Sequence, residues 1–182
     1  MIVSITGTPG TGKTSISKLL KDRGFEVIDL NEVAIEKNFL IGKDEKRDSL
    51  IVDIKKFNKY VKENYSKKNI VFIEGHLSHL LKIVDKVIIL RCHPDELRKN
   101  LSKRGWNEKK IKENIEAEIL DVILIEALDL HNIKNIFEIN TTGKLIKDVF
   151  SSTLEIIENK FKNLKKYNIG KIDWSEEILK DF

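Results

Sequence analysis

The sequence predicts an α/β fold in which helices cover both faces of a five-stranded parallel sheet. Short apolar runs alternate along the chain with segments whose apolar residues recur every three to four positions. This alternation is expected of strands and helices that follow each other in turn, with right-handed crossovers between parallel strands. Three of the runs are nearly continuous Ile, Val and Phe, which is typical of strands buried on both faces.

Five runs are predicted to form the strands of this sheet. They comprise residues 2–6, 25–29, 69–74, 86–91 and 136–139. The first, third and fourth runs are the most continuously apolar. The sequence therefore predicts a three-layer α/β/α sandwich around a parallel sheet.

Helical patterns fill the intervals between the predicted strands. Segments 13–23 and 53–65 each place their apolar residues on one stripe, as amphipathic helices do. Pro94 precedes two acidic residues and is predicted to begin a helix, because proline fits the first turn and acids favour the positive end of the dipole. Asn107 is predicted to cap one long helix that continues through Leu128.

Other segments fit this alternation less well. Residues 37–50 are polar, and residues 102–110 form a basic turn between two helices. Both are predicted to lie over the ligand edge of the sheet. A last helix is predicted over residues 143–164. The tail 167–182 is irregular, and its Trp174 is predicted to dock on the body.

Composition limits the class of protein. The 182 residues fit one domain, and the hydrophobic fraction of 41% is enough for a real core. The single Cys92 excludes a disulfide framework and a four-cysteine zinc site, and it fits a reducing cytoplasm. We expect no signal peptide and no membrane span. The formal net charge of +4 is compatible with nucleotide or RNA partners, and equally with solvated helix surfaces.

The most specific local motif is G-x-x-x-x-G-K-[ST] at residues 7–14. A buried strand precedes it and an amphipathic helix follows it, which is the setting of a phosphate-binding loop. Gly10 and Gly12 permit backbone conformations that turn N–H groups toward an anion. A chance glycine-rich turn would not explain this setting, so the motif predicts binding of a nucleoside triphosphate.

Three side chains at the end of this loop have predicted roles toward ATP. Lys13 is expected to reach the terminal phosphates, where it would also be catalytic. The Thr14 hydroxyl is expected to be a ligand of Mg²⁺, the predicted cofactor. Ser15 lies in the first helical turn and can donate to the α-phosphate.

An acidic residue and a histidine follow the third predicted strand. Glu74 ends this strand, where it is predicted to hold Mg²⁺ through water. His76 is predicted to orient the acceptor or an attacking water. The alternatives are a solvated strand-end glutamate and a structural histidine. We interpret His79 and His131 as structural.

Basic and acidic residues near the predicted ligand edge are further candidates. Arg104 is predicted to close over ATP from a lid, or else to bind carbonyls at a helix end. Arg47 is predicted to contact the phosphate of a second nucleotide, or else to be a solvated loop charge. Arg91 and Asp29 end two strands at the edge where ligands bind. Lys144 follows the last strand and could support the adenine.

These residues together resemble the adenylate kinase isoenzyme 6 family, particularly its archaeal members. The resemblance rests on the loop 7–14, the polar segment 44–49, the Glu-Gly-His step at 74–76, and the segment 104–119. The last of these is the most specific, because phosphate-loop proteins in general lack it. Nearly the whole chain is covered, including residues 170–175.

The resemblance implies a P-loop NTPase fold of the short nucleoside monophosphate kinase type in a single domain. It implies a monophosphate-binding region at about residues 30–52 and a lid at about residues 103–113. It implies ATP as phosphoryl donor and AMP as acceptor, with Arg47, Asp29 and Arg91 as the candidate AMP site.

A second role is also implied by the resemblance. Family members act as ATPases in maturation of the small ribosomal subunit, contacting a ribosomal platform protein and pre-ribosomal particles. Some relatives have Asp where this chain has Glu74. The extra methylene could alter how water or metal is held, which leaves the balance between kinase and ATPase activity open.

Three interpretations remain open at this stage. The chain could be an adenylate kinase, an assembly factor driven by ATP hydrolysis, or a phosphate-loop kinase for another small acceptor. The first two are compatible in one protein. The third requires a different acceptor pocket within residues 30–50, which the sequence does not exclude.

Overall fold

The computed structural model describes residues 1–44, 49–65 and 69–180. The strands are β1 (Ile2–Thr6), β2 (Glu26–Asp29), β3 (Leu40–Asp44), β4 (Ser49–Val52), β5 (Val71–Glu74), β6 (Lys86–Arg91) and β7 (Ile136–Asn140). The α-helices are α1 (Lys13–Asp22), α2 (Leu30–Glu36), α3 (Ile54–Asn64), α4 (Pro94–Ser102), α5 (Glu108–Ile119), α6 (Val122–Leu130) and α7 (Ile146–Glu158).

Five of these strands form a parallel sheet in the order β2-β5-β1-β6-β7. All five predicted strands are therefore confirmed, with bounds that shift by at most two residues. Strand β1 lies at the centre and all of its residues are buried. The carboxyl ends of the five strands meet at one edge, directly before the phosphate loop and the other loops predicted to bind ligands.

Two hydrophobic cores lie on opposite faces of this sheet. One core packs α1 and α7 against residues such as Val3 and Ile88. The other packs α2, α3 and α6 against residues such as Ile73 and Ile89. Neighbouring residues of a strand, such as Ile88 and Ile89, enter different cores because strand side chains alternate between faces. The predicted three-layer sandwich is confirmed.

The predicted long helix after Asn107 is wrong, because the chain breaks between α5 and α6. Asp121 adopts a left-handed backbone with φ of 54°, which few residues other than glycine adopt. Its carboxylate accepts a hydrogen bond from the buried Arg91 guanidinium. This tertiary ion pair holds the turn that separates the two helices.

Segment 30–52 contains structure that the sequence pattern did not predict. It holds the short helix α2 and the antiparallel pair β3 and β4. Asp29 caps α2, since its Oδ1 accepts hydrogen bonds from the N–H groups of Asn31 at 2.8 Å and Glu32 at 3.0 Å. The last helix, α7, is also shorter than the predicted segment 143–164.

The tail is irregular and Trp174 docks on the body, as predicted. Its ring lies edge-on to His93 with 5.1 Å between ring centroids, and its indole N–H donates to Glu118 Oε1 at 3.4 Å. The tail also carries short 3₁₀ turns at Lys165–Tyr167 and Ser175–Lys180. Across residues 1–44, 49–65 and 69–180, each helix is too short or too polar to cross a bilayer.

The turn after β1 provides a test of this packing. Gly7 has a φ of +139°, and a Cβ added there would lie 2.3 Å from the backbone oxygen of Leu90. Gly24 also has a positive φ, +84°, but no atom lies within 4 Å of its added Cβ. We expect Gly7→Ala to lower the free energy of unfolding by roughly 1–3 kcal/mol more than Gly24→Ala. Urea unfolding of both variants measures the difference.

Gly24→Ala also places a Cβ on a backbone of positive φ, at +84° instead of +139°. The larger loss expected in Gly7→Ala reflects both its less accessible φ and the conflict with Leu90. Equal losses in the two variants would mean that β6 moves aside without penalty, contrary to the close packing of these two strands.

Candidate active site

A cavity of about 370 Å³ opens at the carboxyl edge of the sheet. It brings together the phosphate loop, the ends of β2 and β5, and the segment that leads from α4 into α5. Its lining residues are Pro9, Gly10, Gly12, Lys13, Thr14, Asp29, Asn31, Glu74, His76, Arg104, Trp106, Lys110, Glu113 and Asn114.

The phosphate loop forms one wall of this cavity. Gly10 and Gly12 have φ values of 96° and 97°, which residues with a Cβ rarely adopt. Helix α1 begins directly after them, so its unpaired N–H groups and its dipole face the cavity. This is the arrangement that binds phosphate at a helix N-terminus.

Lys13 is the buried cation of the loop. Its Nζ donates to the carbonyl oxygens of Gly7 at 2.8 Å and Thr8 at 3.1 Å. Burial lowers the pKa of Lys13 to about 8, although the charge of Glu74 opposes this shift. The ammonium form therefore still dominates at pH 7, and its positive charge lies within the wall that would meet phosphate groups.

Two carboxylates lie side by side opposite this lysine. Asp29 and Glu74 are register partners at the ends of β2 and β5, and both line the cavity. Burial raises the pKa of Glu74, and the charge of Asp29 raises it further, whereas Lys13 and the Thr14 hydroxyl lower it. The cavity thus holds a compact group of oxygen donors beside the phosphate loop.

This donor set fits Mg²⁺, the cofactor that the fold implies. Magnesium prefers oxygen ligands and keeps several waters, so it needs only one or two protein groups. The Thr14 hydroxyl and the Glu74 carboxylate are such groups, and Asp29 adds a third source of oxygen ligands.

His76 lines the same cavity and is half-buried. Burial lowers its pKa to about 4, with further contributions from the positive charge of Lys13 and from His79. The ring is therefore neutral at pH 7. A neutral imidazole offers one donor and one acceptor nitrogen, so it can orient a polar group without adding charge.

The other two histidines singled out in the sequence have structural contacts, as expected. His79 is fully buried, with Nδ1 at 3.0 Å from the Thr6 hydroxyl and Nε2 at 2.9 Å from Glu126 Oε2. His131 Nε2 donates to the backbone oxygen of His79 at 2.6 Å. Both rings therefore support the fold beside the cavity and lie outside its lining.

The segment between α4 and α5 forms the opposite wall. Arg104 is exposed and lines the cavity, which is where a lid cation is expected. The Lys110 ammonium lies 4.5 Å from the centroid of the Trp106 ring. A small separate core joins the two helices beneath this wall, comprising Cys92, Leu97, Leu101, Ile111 and Ile115.

Several lining residues were missed by sequence reasoning. They are Asn31, Trp106, Lys110, Glu113 and Asn114. Those from 106 to 114 share one face of α5 and its approach, since residues three or four apart are neighbours on a helix. That spacing, read together with Arg104, could have identified them.

Some predicted site residues lie away from the cavity. Arg91 is buried and donates to Glu118 Oε1 at 2.7 Å, to Glu138 Oε1 at 2.5 Å and to Asp121. Burial alone would lower its pKa, but these three carboxylates raise it overall. The N–H groups of the Arg91 guanidinium are thus used in hydrogen bonds to carboxylates inside the protein. Because Arg91 stabilises the fold in this way, we do not retain it as an AMP ligand.

The three predicted site residues that remain are Ser15, Lys144 and Arg47. Ser15 and Lys144 are exposed and do not line the cavity; Lys144 lines a smaller pocket beside β7 and the tail. Arg47 lies outside the described residues. The cavity therefore unites Gly10, Gly12 and Lys13 with the predicted residues Thr14, Asp29, Glu74, His76 and Arg104.

Comparison with protein families identifies relatives over most of the chain. A family model described as "AAA domain" matches residues 3–121. A protein of Methanocaldococcus jannaschii named "Putative adenylate kinase" is 40% identical over 180 residues, which is 98% of this chain and 96% of that protein. A protein of the same name from Thermococcus gammatolerans is 44% identical over 177 residues, covering 97% and 94% of the two chains.

Solved structures support the same fold. The thymidylate kinase of Candida albicans matches 88% of this chain and 92% of its own, with a TM-score of 0.56 and 12% identity. The shikimate kinase of Bacteroides thetaiotaomicron matches 87% of this chain and 98% of its own, with a TM-score of 0.54 and 18% identity. At these identities the likeness concerns the fold, which is that of phosphate-loop kinases.

The lowered pKa of His76 predicts a defined response to pH. Because folding lowers this pKa from 6.5 to about 4, the unfolded chain binds a proton in that pH range which the folded chain does not. Stability should therefore fall as pH falls from about 6.5 toward 4. In a histidine NMR titration we expect the signal of one ring to remain that of a neutral imidazole down to about pH 5. This signal should be missing from the spectrum of His76→Asn, which assigns it to His76.

The variant His76→Asn should also lose less stability than the parent between pH 6.5 and pH 4. A midpoint near 6.5 for the His76 ring would show that it is solvated, and would contradict its place in the cavity wall.

Proposed function

We propose that this chain, which belongs to the family of the archaeal proteins named "Putative adenylate kinase", transfers the γ-phosphoryl group of ATP to AMP to give two ADP. The observation that supports this proposal is the shared cavity. The phosphate loop, paired carboxylates and an exposed lid arginine all line it. Phosphoryl transfer depends on positioning and on neutralising charge, and these groups supply both.

ATP binding would begin at the phosphate loop. Its N–H groups and the N-terminus of α1 would surround the phosphates. The Lys13 ammonium, which now donates to two loop carbonyls, would turn to the terminal phosphates. The Thr14 hydroxyl, and Glu74 through water, would hold Mg²⁺, which neutralises phosphate charge when bound.

The acceptor would enter from the side of residues 30–52. Asp29 and Asn31 line the cavity there, and α2 begins between them. We propose Asp29 and Arg47 as the AMP-binding residues. Arg104 would close from the lid, and its planar guanidinium can hold two phosphate oxygens at once.

Hydrolysis of ATP is a second candidate activity, which one observation favours. The neutral His76 ring lines the cavity and can accept a hydrogen bond from water while donating one to another group. Such hydrolysis would compete with phosphoryl transfer to AMP, because a kinase must keep water from the γ-phosphate until the acceptor arrives. Roles in small-ribosomal-subunit maturation and a cytoplasmic location remain predictions from the resemblance and the composition.

An acceptor panel tests the proposed function. ADP formation is measured with AMP, with other nucleoside monophosphates, and without acceptor. We expect AMP to give the largest rate. Lys13→Ala should lower this rate on the order of 10²-fold, since it removes a cation that stabilises the transferring group.

Lys18→Ala is the matched control, because Lys18 is an exposed lysine on the same helix. Equal ADP formation with and without AMP would reject the kinase in favour of the ATPase. A preference for a different monophosphate would reject AMP as the acceptor.

The lid arginine gives a second test. Arg104→Ala should lower kcat/KM for ATP about tenfold to a hundredfold without unfolding the protein, because a charge-stabilising group is lost. Arg104→Lys should recover only part of the rate, because lysine lacks the two-pronged geometry. Steady-state kinetics of both variants measure the difference.

Lys99→Ala is a suitable control, since Lys99 is an exposed cation on the neighbouring α4. Full recovery by Arg104→Lys would mean that a point charge suffices, and a rate unchanged in Arg104→Ala would place this arginine outside the reaction.

A further inference from the structure

Glu118 is a buried carboxylate of α5 that lies outside the cavity lining but contacts the phosphate loop. It is only 3% exposed. Its Oε2 accepts a hydrogen bond of 2.5 Å from the Thr8 hydroxyl. Hydrogen bonds from a hydroxyl to a carboxylate are short and strong compared with neutral ones, so this contact fixes Thr8 to α5.

The other oxygen of Glu118 is held in place by several donors. Oε1 accepts from Arg91 Nε at 2.7 Å, from the Cys92 N–H at 3.2 Å and from the Trp174 indole N–H at 3.4 Å. A carboxylate with this many fixed donors has one orientation available to it. Its Oε2 therefore presents a fixed acceptor to the Thr8 hydroxyl.

Thr8 in turn organises the first half of the phosphate loop. Its backbone oxygen accepts from the Thr11 N–H at 3.3 Å, from the Thr11 hydroxyl at 2.9 Å and from Lys13 Nζ at 3.1 Å. The position of Thr8 thus sets the turn from which the loop N–H groups project. It also sets the resting place of the loop cation.

Glu118 acts on Lys13 through its charge as well. It is one of the acids that oppose the lowering of the Lys13 pKa by burial. The same side chain therefore supports the loop both by accepting a hydrogen bond from the Thr8 hydroxyl and by a negative charge near its lysine.

We infer that Glu118 is a positioning residue for ATP binding, which fixes the phosphate loop from behind through the Thr8 hydroxyl. This inference rests on the proposed function in so far as the loop binds ATP, but it does not depend on which acceptor is used. Since Glu118 lies one helical turn after the cavity-lining Asn114, α5 carries both a part of the lid wall and the support of the loop.

The test removes the Thr8 hydroxyl without changing the size of the side chain. Thr8→Val should raise the dissociation constant for ATP with Mg²⁺ at least tenfold, because a misplaced loop loses several aligned N–H contacts at once. Thr8→Ser keeps the hydroxyl and should stay within about threefold of the parent. Displacement of a fluorescent ATP analogue measures all three affinities directly.

Thr153→Val is the matched control. Thr153 is also fully buried and donates its hydroxyl to a backbone oxygen, that of Val149 at 3.0 Å, within α7. This substitution removes a buried hydroxyl hydrogen bond that does not involve the phosphate loop, so it should leave ATP affinity unchanged. In the Glu118→Gln background, Thr8→Val should have a much smaller effect than in the parent, because both substitutions remove one interaction.

Thr8→Val with a lowered melting temperature and ATP affinity within twofold of the parent would overturn the inference, since the contact would then only stabilise the fold. Additive effects of Thr8→Val and Glu118→Gln would also overturn it. These affinities are measured without acceptor, so the test does not depend on phosphorylation of AMP. A parent protein that binds ATP but fails to phosphorylate AMP would reject the proposed function, whereas the role of Glu118 would still be decided by the ATP dissociation constants of the variants.

Discussion

A single buried guanidinium determines how the carboxyl edge of the sheet is assembled. Arg91 ends the strand beside the central one, and it is 2% exposed. A charge in such a place must be paired, because an isolated ion loses its hydration without compensation. The partners come from three different elements: Glu118 on α5, Asp121 in the turn after it, and Glu138 on β7. These three elements therefore converge on the same arginine.

The consequences of this pairing extend in two directions. Glu138 Oε2 also accepts the Gly170 N–H at 3.0 Å, and Glu118 Oε1 accepts from the Trp174 indole. The tail is therefore fastened to the acids that neutralise the arginine. On the side of the cavity, Glu118 accepts a hydrogen bond from the Thr8 hydroxyl. The cluster that binds the tail therefore also supports the loop expected to bind ATP.

The sequence predicts local features well and tertiary ones less well. The phosphate loop and the five strands could be predicted because their signals are local: glycine spacing and continuous apolar runs. The break at Asp121 could not, since it depends on an arginine thirty residues earlier in the chain. Arg91 itself was misassigned for the same reason, because a strand-end arginine has no local sign of whether it faces a ligand or an internal carboxylate. Helix α2 and the pair β3 and β4 are short, and several of their apolar residues are exposed, including Ile41 and Ile51, which weakens the periodic signal.

The helices of the lid wall share a core that is separate from the two cores of the sheet. That core contains five buried residues, from Cys92 to Ile115, and α4 and α5 supply nearly all of it. This core does not make the lid wall independent of the loop, because α5 also carries Glu118, whose carboxylate accepts a hydrogen bond from the Thr8 hydroxyl. A movement of α5 would therefore change the position of Thr8 as well as the shape of the cavity wall, which couples the cover of the site to the loop beneath it.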